Sequence, residues 1–123
     1  MNSEQKKNIL LEKADELAHE VYKVSKNFPR EELFGLISQI RRAAISVPLN
    51  VIEGFARQGS KEYIRFLEIS YASLKETKYL MHFAYIEKYI SSNNYNKLIN
   101  LSEEIGKILL TKIKKLKNKI INS

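Results

Sequence analysis

At 123 residues the chain is one domain's worth of sequence, long enough to bury about two-thirds of the surface its unfolded form exposes. It has no cysteine, which excludes disulfides, thiolate metal sites and cysteine nucleophiles, and two prolines with four glycines leave little for a turn-rich β fold. The net charge of +7 is concentrated at the C-terminus: Lys107, Lys112, Lys114, Lys115, Lys117 and Lys119 have no acid among them, and without them the rest of the chain carries +1.

The opening MNSEQKKN lacks the apolar stretch of a signal peptide, and no apolar run approaches the roughly 18 residues of a membrane span, so a single cytoplasmic domain over residues 1–123 with no membrane contact is expected. A first helix is predicted from about Glu4 to Asn27, with Leu10, Ala14, Leu17, Val21, Val24 and Phe28 at the 3–4 spacing of a buried stripe. Phe28-Pro29 ends it, because the residue before proline is pushed out of the α region. Pro29 suits the first position of a second helix, with Glu31 and Glu32 at its positive end.

The second helix is predicted to reach about Ala56, on a seam of Leu33, Ile37, Ile40, Ala44, Val47 and Val51. Pro48 lies inside it and deprives the Ala44 carbonyl of its partner; because the seam stays in phase through Val51, a kink is expected rather than a break. Gly59 reads as a helix stop and Ser60 as the next N-cap. A third helix follows from about Lys61 to Tyr89, burying Tyr63, Phe66, Leu67, Ser70, Leu74, Thr77, Met81, Ala84 and Tyr85. After Ser91-Ser92-Asn93 a fourth runs from about Asn94 to Ile120, with Leu98, Leu101, Ile105, Leu109 and Leu116 inward. Short connections between long helices imply an all-α, antiparallel up-and-down four-helix bundle with a Pro-kinked second helix.

At 100° per residue the seam of helix two clusters on one side, while Phe34, Ile45 and Ile52 lie about 120–140° from Ile40 and Leu49 about 180°. That apolar arc exceeds the roughly 100° stripe one bundle requires, so either neighbouring helices wrap further round or copies of the chain share it; self-association is the expectation. Arg41 falls between the two apolar sets and needs a partner, Glu76 or a carboxylate of another subunit, unless the proline bend leaves it at an edge. Gln39, Ser46, Asn50 and Glu53, with Arg42 and Arg57, form a polar ladder suited to interhelical hydrogen bonds or to a binding surface. Arg57, Lys61 and Arg65 cluster at the turn into helix three, a corner open to anions. The C-terminal lysines either answer the negative end of the helix dipole or contact phosphates; Lys107, Lys114 and Lys115 share an arc, with Lys112 and Lys119 elsewhere.

These residues carry a resemblance. Phe28-Pro29 with Glu32 and Phe34-Gly35-Leu36, then Gln39 through Ala44, Ser46-Val47, Asn50, Glu53-Gly54 and Arg57, and beyond the turn Tyr63, Phe66-Leu67, Ser73-Leu74 and Glu76, resemble the 23S rRNA intervening-sequence protein family over about Leu10 to Leu116. Ile52 stands where the family usually has a small residue. The resemblance implies a four-helix bundle assembled as a homopentameric ring, with no established enzymatic activity and no catalytic residues to carry over. It also implies possible settings: insertions in ribosomal RNA genes, and accessory factors of retroelements that contact nucleic acid and a reverse transcriptase.

Enzyme patterns are weak. Glu16 and His19 have the Glu-x-x-His spacing of di-iron bundles, but the second copy is missing: three residues before His82 stands Tyr79. No phosphate-binding glycine pattern exists, since Gly54 and Gly59 read as helix ends, and no nucleophile motif accompanies either histidine. The expected protein has no catalytic residues, no metal and no cofactor. It self-associates and binds RNA or DNA through Arg42, Arg57, Lys61, Arg65, Lys107, Lys112, Lys114, Lys115 and Lys117, or else serves as a scaffold for a protein partner such as a reverse transcriptase or ribosomal factor. Phe34, Arg41, Ile45, Leu49 and Ile52 form the expected interface between copies.

Overall fold

A computed structural model describes residues 8–122. It contains four α-helices: α1 Ile9–Ser25, α2 Ser38–Phe55, α3 Ser60–Ile86 and α4 Ser92–Ile121. The reading of MNSEQKKN falls mostly on residues 1–7, outside the described part. α1 begins where Asn8 Oδ1 accepts from the Leu11 N–H at 3.1 Å, and α4 where Ser91 Oγ accepts from Asn94 N–H at 3.1 Å; each satisfies one orphan donor of a first turn.

Contacts between neighbouring helices run in opposite chain order, as the bundle topology requires. Lys13 pairs with Glu104 and Glu20 with Lys97 between α1 and α4, while Lys78 pairs with Glu103 and Glu68 with Lys117 between α3 and α4. The core they enclose is built from the expected stripes: Leu10, Leu17 and Val21 of α1, Ile40 to Val51 of α2, Leu67, Leu74 and Met81 of α3, and Leu98, Ile105 and Leu109 of α4.

Helix two differs from the expectation at its start. Pro29 caps a 3-10 turn, Arg30–Glu32, followed by a π-helical turn, Leu33–Ile37, before regular α-helix begins. The wider π turn resets the phase, so Leu36 and Ile37 are both buried while Leu33, expected in the seam, is exposed and Phe34 is 94% exposed. Downstream the helix continues through Pro48 to Phe55. Gly59 is the N-cap of α3 in an extended conformation, and Ser60 is the first helical residue rather than the cap. Gly54 lies in the last turn of α2 because space demands it: a Cβ there would sit 2.8 Å from Tyr63 Cδ1.

In α3, Ile64 and Leu80 join the core, while Tyr63, Phe66 and Tyr85, expected to be buried, are only partly so. α3 stops at Ile86, short of the expected Tyr89. Lys88 takes a left-handed φ of 67°, and Tyr89 N–H reaches back to the Ala84 carbonyl at 2.8 Å. This is a Schellman closure with lysine where glycine is usual.

Candidate self-association and nucleic-acid surfaces

The surplus apolar residues of α2 line a groove against α1. Ile45, Leu49 and Ile52 meet Leu11, Ala18 and Tyr22 across a space of about 970 Å³, with Asp15, His19, Lys23 and Lys26 at its margin. Leu49 is 51% and Ile45 41% exposed, and Pro48 contributes to the floor. Of the residues expected at an interface, the structure thus brings Ile45, Leu49 and Ile52 together. Phe34 stands apart on the π turn.

Arg41 has another task. Its Nε donates to Ser25 Oγ at 2.8 Å, one Nη lies 3.5 Å from the Tyr22 carbonyl, and the guanidinium sits 4.6 Å from the Tyr22 ring centre. A cation is thereby placed at the negative end of α1 and over an aromatic face, both favourable. The expected carboxylate partner is not found: among the described residues Arg41 contacts no acid, and Glu76 is exposed on α3.

The polar ladder divides. Ser46 Oγ lies 2.7 Å from Ser73 Oγ of α3, and Asn50 Nδ2 donates to both the Ser46 carbonyl (2.8 Å) and its hydroxyl (2.9 Å). Nearby, Ser70 Oγ donates to the Val47 carbonyl at 2.8 Å. Glu53 instead holds Arg57 at 3.1 Å along α2. Gln39 is exposed beside a shallow recess with Gly35, Leu36, Tyr79 and Phe83.

At the α2–α3 corner Arg57 and Arg65 flank the Phe66 ring, at 4.5 and 5.8 Å, and each is tied to a carboxylate, Glu53 and Glu62. Two of the corner's three expected charges are thereby answered within the chain; Lys61 is exposed, as is Arg42 further back on α2. Along α4, Lys107, Lys112 and Lys115 border a notch of about 530 Å³ floored by Ile108, Thr111 and Leu116. Lys112 belongs to this group, contrary to the wheel, and its Nζ sits 5.6 Å from the rings of Phe55 and Tyr63. Lys117 is tied to Glu68, whereas among the described residues no acid lies within ion-pair distance of Lys107, Lys112, Lys114 or Lys115.

Among the described residues three ionisations are displaced. The hydrogen bond to Glu104 raises Lys13, the hydrogen bond from Lys78 lowers Glu103, and desolvation raises Tyr89, whose hydroxyl donates to Glu32. His19 meets Asp15 at 3.5 Å rather than Glu16, and no group of three or more metal-ligating side chains occurs among the described residues. None of their helices is long and apolar enough to cross a membrane.

The family model for the 23S rRNA-intervening sequence protein matches residues 6–111. The chain belongs to that family. A crystal structure from Bacteroides thetaiotaomicron, described as a protein with unknown function from the S23 ribosomal protein family, superposes with a TM-score of 0.78 at 28% identity, covering 86% of this chain and 99% of that one. No curated protein matches.

Sequence reasoning missed the rim of the groove. Tyr22, Lys23 and Lys26 fall outside the buried stripe of α1, and only the knowledge that α2 leaves space there gives them meaning. Tyr79, Phe83 and Ile86 were legible as a second apolar line on α3, spaced by four and three residues and exposed in the structure.

Proposed function

We propose that this family member is a non-enzymatic, self-associating bundle, a ring of five as the resemblance implies, that binds structured RNA or other nucleic acid through the lysine face of α4. The observation that carries the reading is that Lys107, Lys112 and Lys115 border one notch on α4 and that, with nearby Lys114, they have no carboxylate within ion-pair distance among the described residues. Phosphates would supply the missing counter-charge, and the family's name ties it to ribosomal RNA. With Arg57 and Arg65 already paired, the α2–α3 corner is the lesser contributor. No base-reading module accompanies the lysines, so recognition would be by backbone and shape.

Binding to a structured RNA should weaken steeply as salt rises from about 50 to 200 mM, because each phosphate contact releases counterions. Replacing Lys112, Lys114, Lys115 and Lys117 with glutamine should flatten that dependence. Retention of RNA unaffected by these changes would overturn the reading.

One observation favours a protein partner instead. The notch between the lysines is floored by Ile108 and Leu116, apolar surface that phosphates do not use. A copurifying protein that survives nuclease treatment, and is lost when Leu116 becomes aspartate, would favour this scaffold reading.

A further inference from the structure

Along Ser46 to Gly54 the seam between α2 and α3 is closed, but beside the π turn it opens into a recess of about 320 Å³. Tyr79 and Phe83, one turn apart on α3, line it, and both rings are exposed. From the 3-10 turn comes Glu32, the one charged side chain of the lining. One end of its carboxylate is fixed: Oε2 accepts from the Tyr89 hydroxyl at 3.1 Å, and the Tyr89 ring packs 5.6 Å from that of Phe28. Oε1 has no hydrogen-bond partner among the described residues. Gly35 leaves it uncovered, since a Cβ at that position would stand 3.4 Å away. Acids without a base gather at this face. Glu31, Glu32, Glu76 and Glu87 meet no Lys, Arg or His within ion-pair distance; among the described residues only Glu12 and Glu16, on α1, share that condition. Glu76 and Glu87 fall within about 60° of Leu80 and Phe83 on the α3 wheel. Arg30, Arg42 and Lys88 lie around the face without closing on any of these acids.

An aromatic pair beside an open carboxylate is the chemistry that receives a guanidinium, whose plane lies over a ring while its edge meets the oxygen. We infer that the recess receives an arginine side chain from a basic amphipathic segment of a partner protein, the guanidinium held between the Tyr79 and Phe83 rings and Glu32. Apolar residues of the same segment lie on Ile86 and Leu33, exposed at this end of the bundle. Glu31, Glu76 and Glu87 face its remaining cations and set which way round it lies. The surface shares no residue with the lysine notch of α4 or the groove beside α1, and a partner held here leaves both free.

A labelled helical peptide with arginines and leucines on one face is the probe, read by fluorescence anisotropy at about 0.15 M salt, where exposed charges are screened. Micromolar binding is expected. Glu32→Gln, which keeps an acceptor for Tyr89, and Tyr79→Ala should each weaken it about tenfold, the loss expected for a charge-assisted hydrogen bond or a cation over a ring. Gly35→Ala should weaken it by covering Oε1, while Glu12→Gln, on α1, should leave it unchanged. The same peptide with citrulline for arginine keeps the shape without the charge and should bind as weakly as the arginine peptide binds Glu32→Gln. Equal binding of the citrulline peptide, an unchanged affinity in Glu32→Gln, or no binding below about 100 µM would overturn the inference. Displacement by spermidine at the peptide's own concentration would show that charge alone fills the recess and would overturn the protein partner. Circular dichroism of each variant should match that of the native chain, since Glu32 and Tyr79 both reach solvent.

Discussion

The two flanks of α2 are built on opposite principles. Toward α3 the helices close tightly: glycine at 54 admits the Tyr63 ring, Ser46 meets Ser73, and Ser70 bonds the Val47 carbonyl. Toward α1 the same helix presents Ile45 and Leu49, branched side chains that hold the neighbours apart and remain half exposed. Small and hydroxyl-bearing residues let backbones approach and give the bundle its fixed geometry. Bulky apolar residues facing an open groove leave binding energy unspent within one chain. The first flank specifies the fold; the second is where surface remains for another molecule.

If the contrast is real, truncation should cost far more on one flank than on the other. Leu67→Ala removes a fully buried side chain of the shared core and should destabilise by about 2–5 kcal/mol in urea unfolding. Leu49→Ala should cost less than about 0.5 kcal/mol where the chain is single. Equal losses would mean that the groove is not open. Gly54→Ala comes next. Alanine gains about 1 kcal/mol in helix propensity, yet its Cβ meets Tyr63, whose ring packs 5.9 Å from Phe55 and whose hydroxyl is buried without a partner. A net loss of about 1–2 kcal/mol is expected, and it should vanish in a Tyr63→Ala background, since the clash is with that ring alone.

Most of the fold was legible because long stripes at 3–4 spacing survive small errors of phase. Four helices, the buried seam of α2 from Ile40 to Val51 and the inward positions of α4 follow from such stripes. Two local events were not legible. The π turn at Leu33–Ile37 has no residue signal of its own, and it moved Leu33 and Phe34 out of a wheel drawn at 100° per residue. The end of α3 was set too late because its left-handed closing residue is Lys88 rather than glycine. Of the candidate surfaces, Ile45, Leu49 and Ile52 could be grouped from the wheel since they share one regular helix. Arg41 could not be assigned to Ser25 and Tyr22, because the choice depends on how the end of α1 is set against α2, which no spacing within one helix encodes. The pairing of Arg57 with Glu53 lay at an ordinary four-residue spacing and was overlooked, whereas Arg65 had Glu62 and Glu68 at equal distance along the helix.

Smaller changes sharpen the picture of the closed flank. Ser70→Ala deletes the hydrogen bond to the Val47 carbonyl and should cost about 1 kcal/mol by urea titration. An unchanged midpoint would show that Ser70 merely fills space. Lys88→Gly should act in the opposite direction, stabilising by about 1 kcal/mol, because glycine adopts the left-handed conformation without the penalty a lysine bears.

The smallest expected effect concerns pH. The hydrogen bond from Lys78 holds Glu103 below its ordinary value of 4.5, so the pair adds stability above that pH and loses it as Glu103 takes up a proton at lower pH. Both side chains reach solvent, so the contribution is modest and screened by salt. Lys78→Met should lower the urea midpoint by a constant amount from about pH 7 to pH 5, with the gap narrowing below about pH 4.5. The Ser46–Ser73 contact on the closed flank has nothing to titrate, so Ser73→Ala should shift the midpoint equally at every pH. A Lys78→Met gap as flat as that of Ser73→Ala would mean that packing of the lysine stem, rather than its charge, holds α3 to α4.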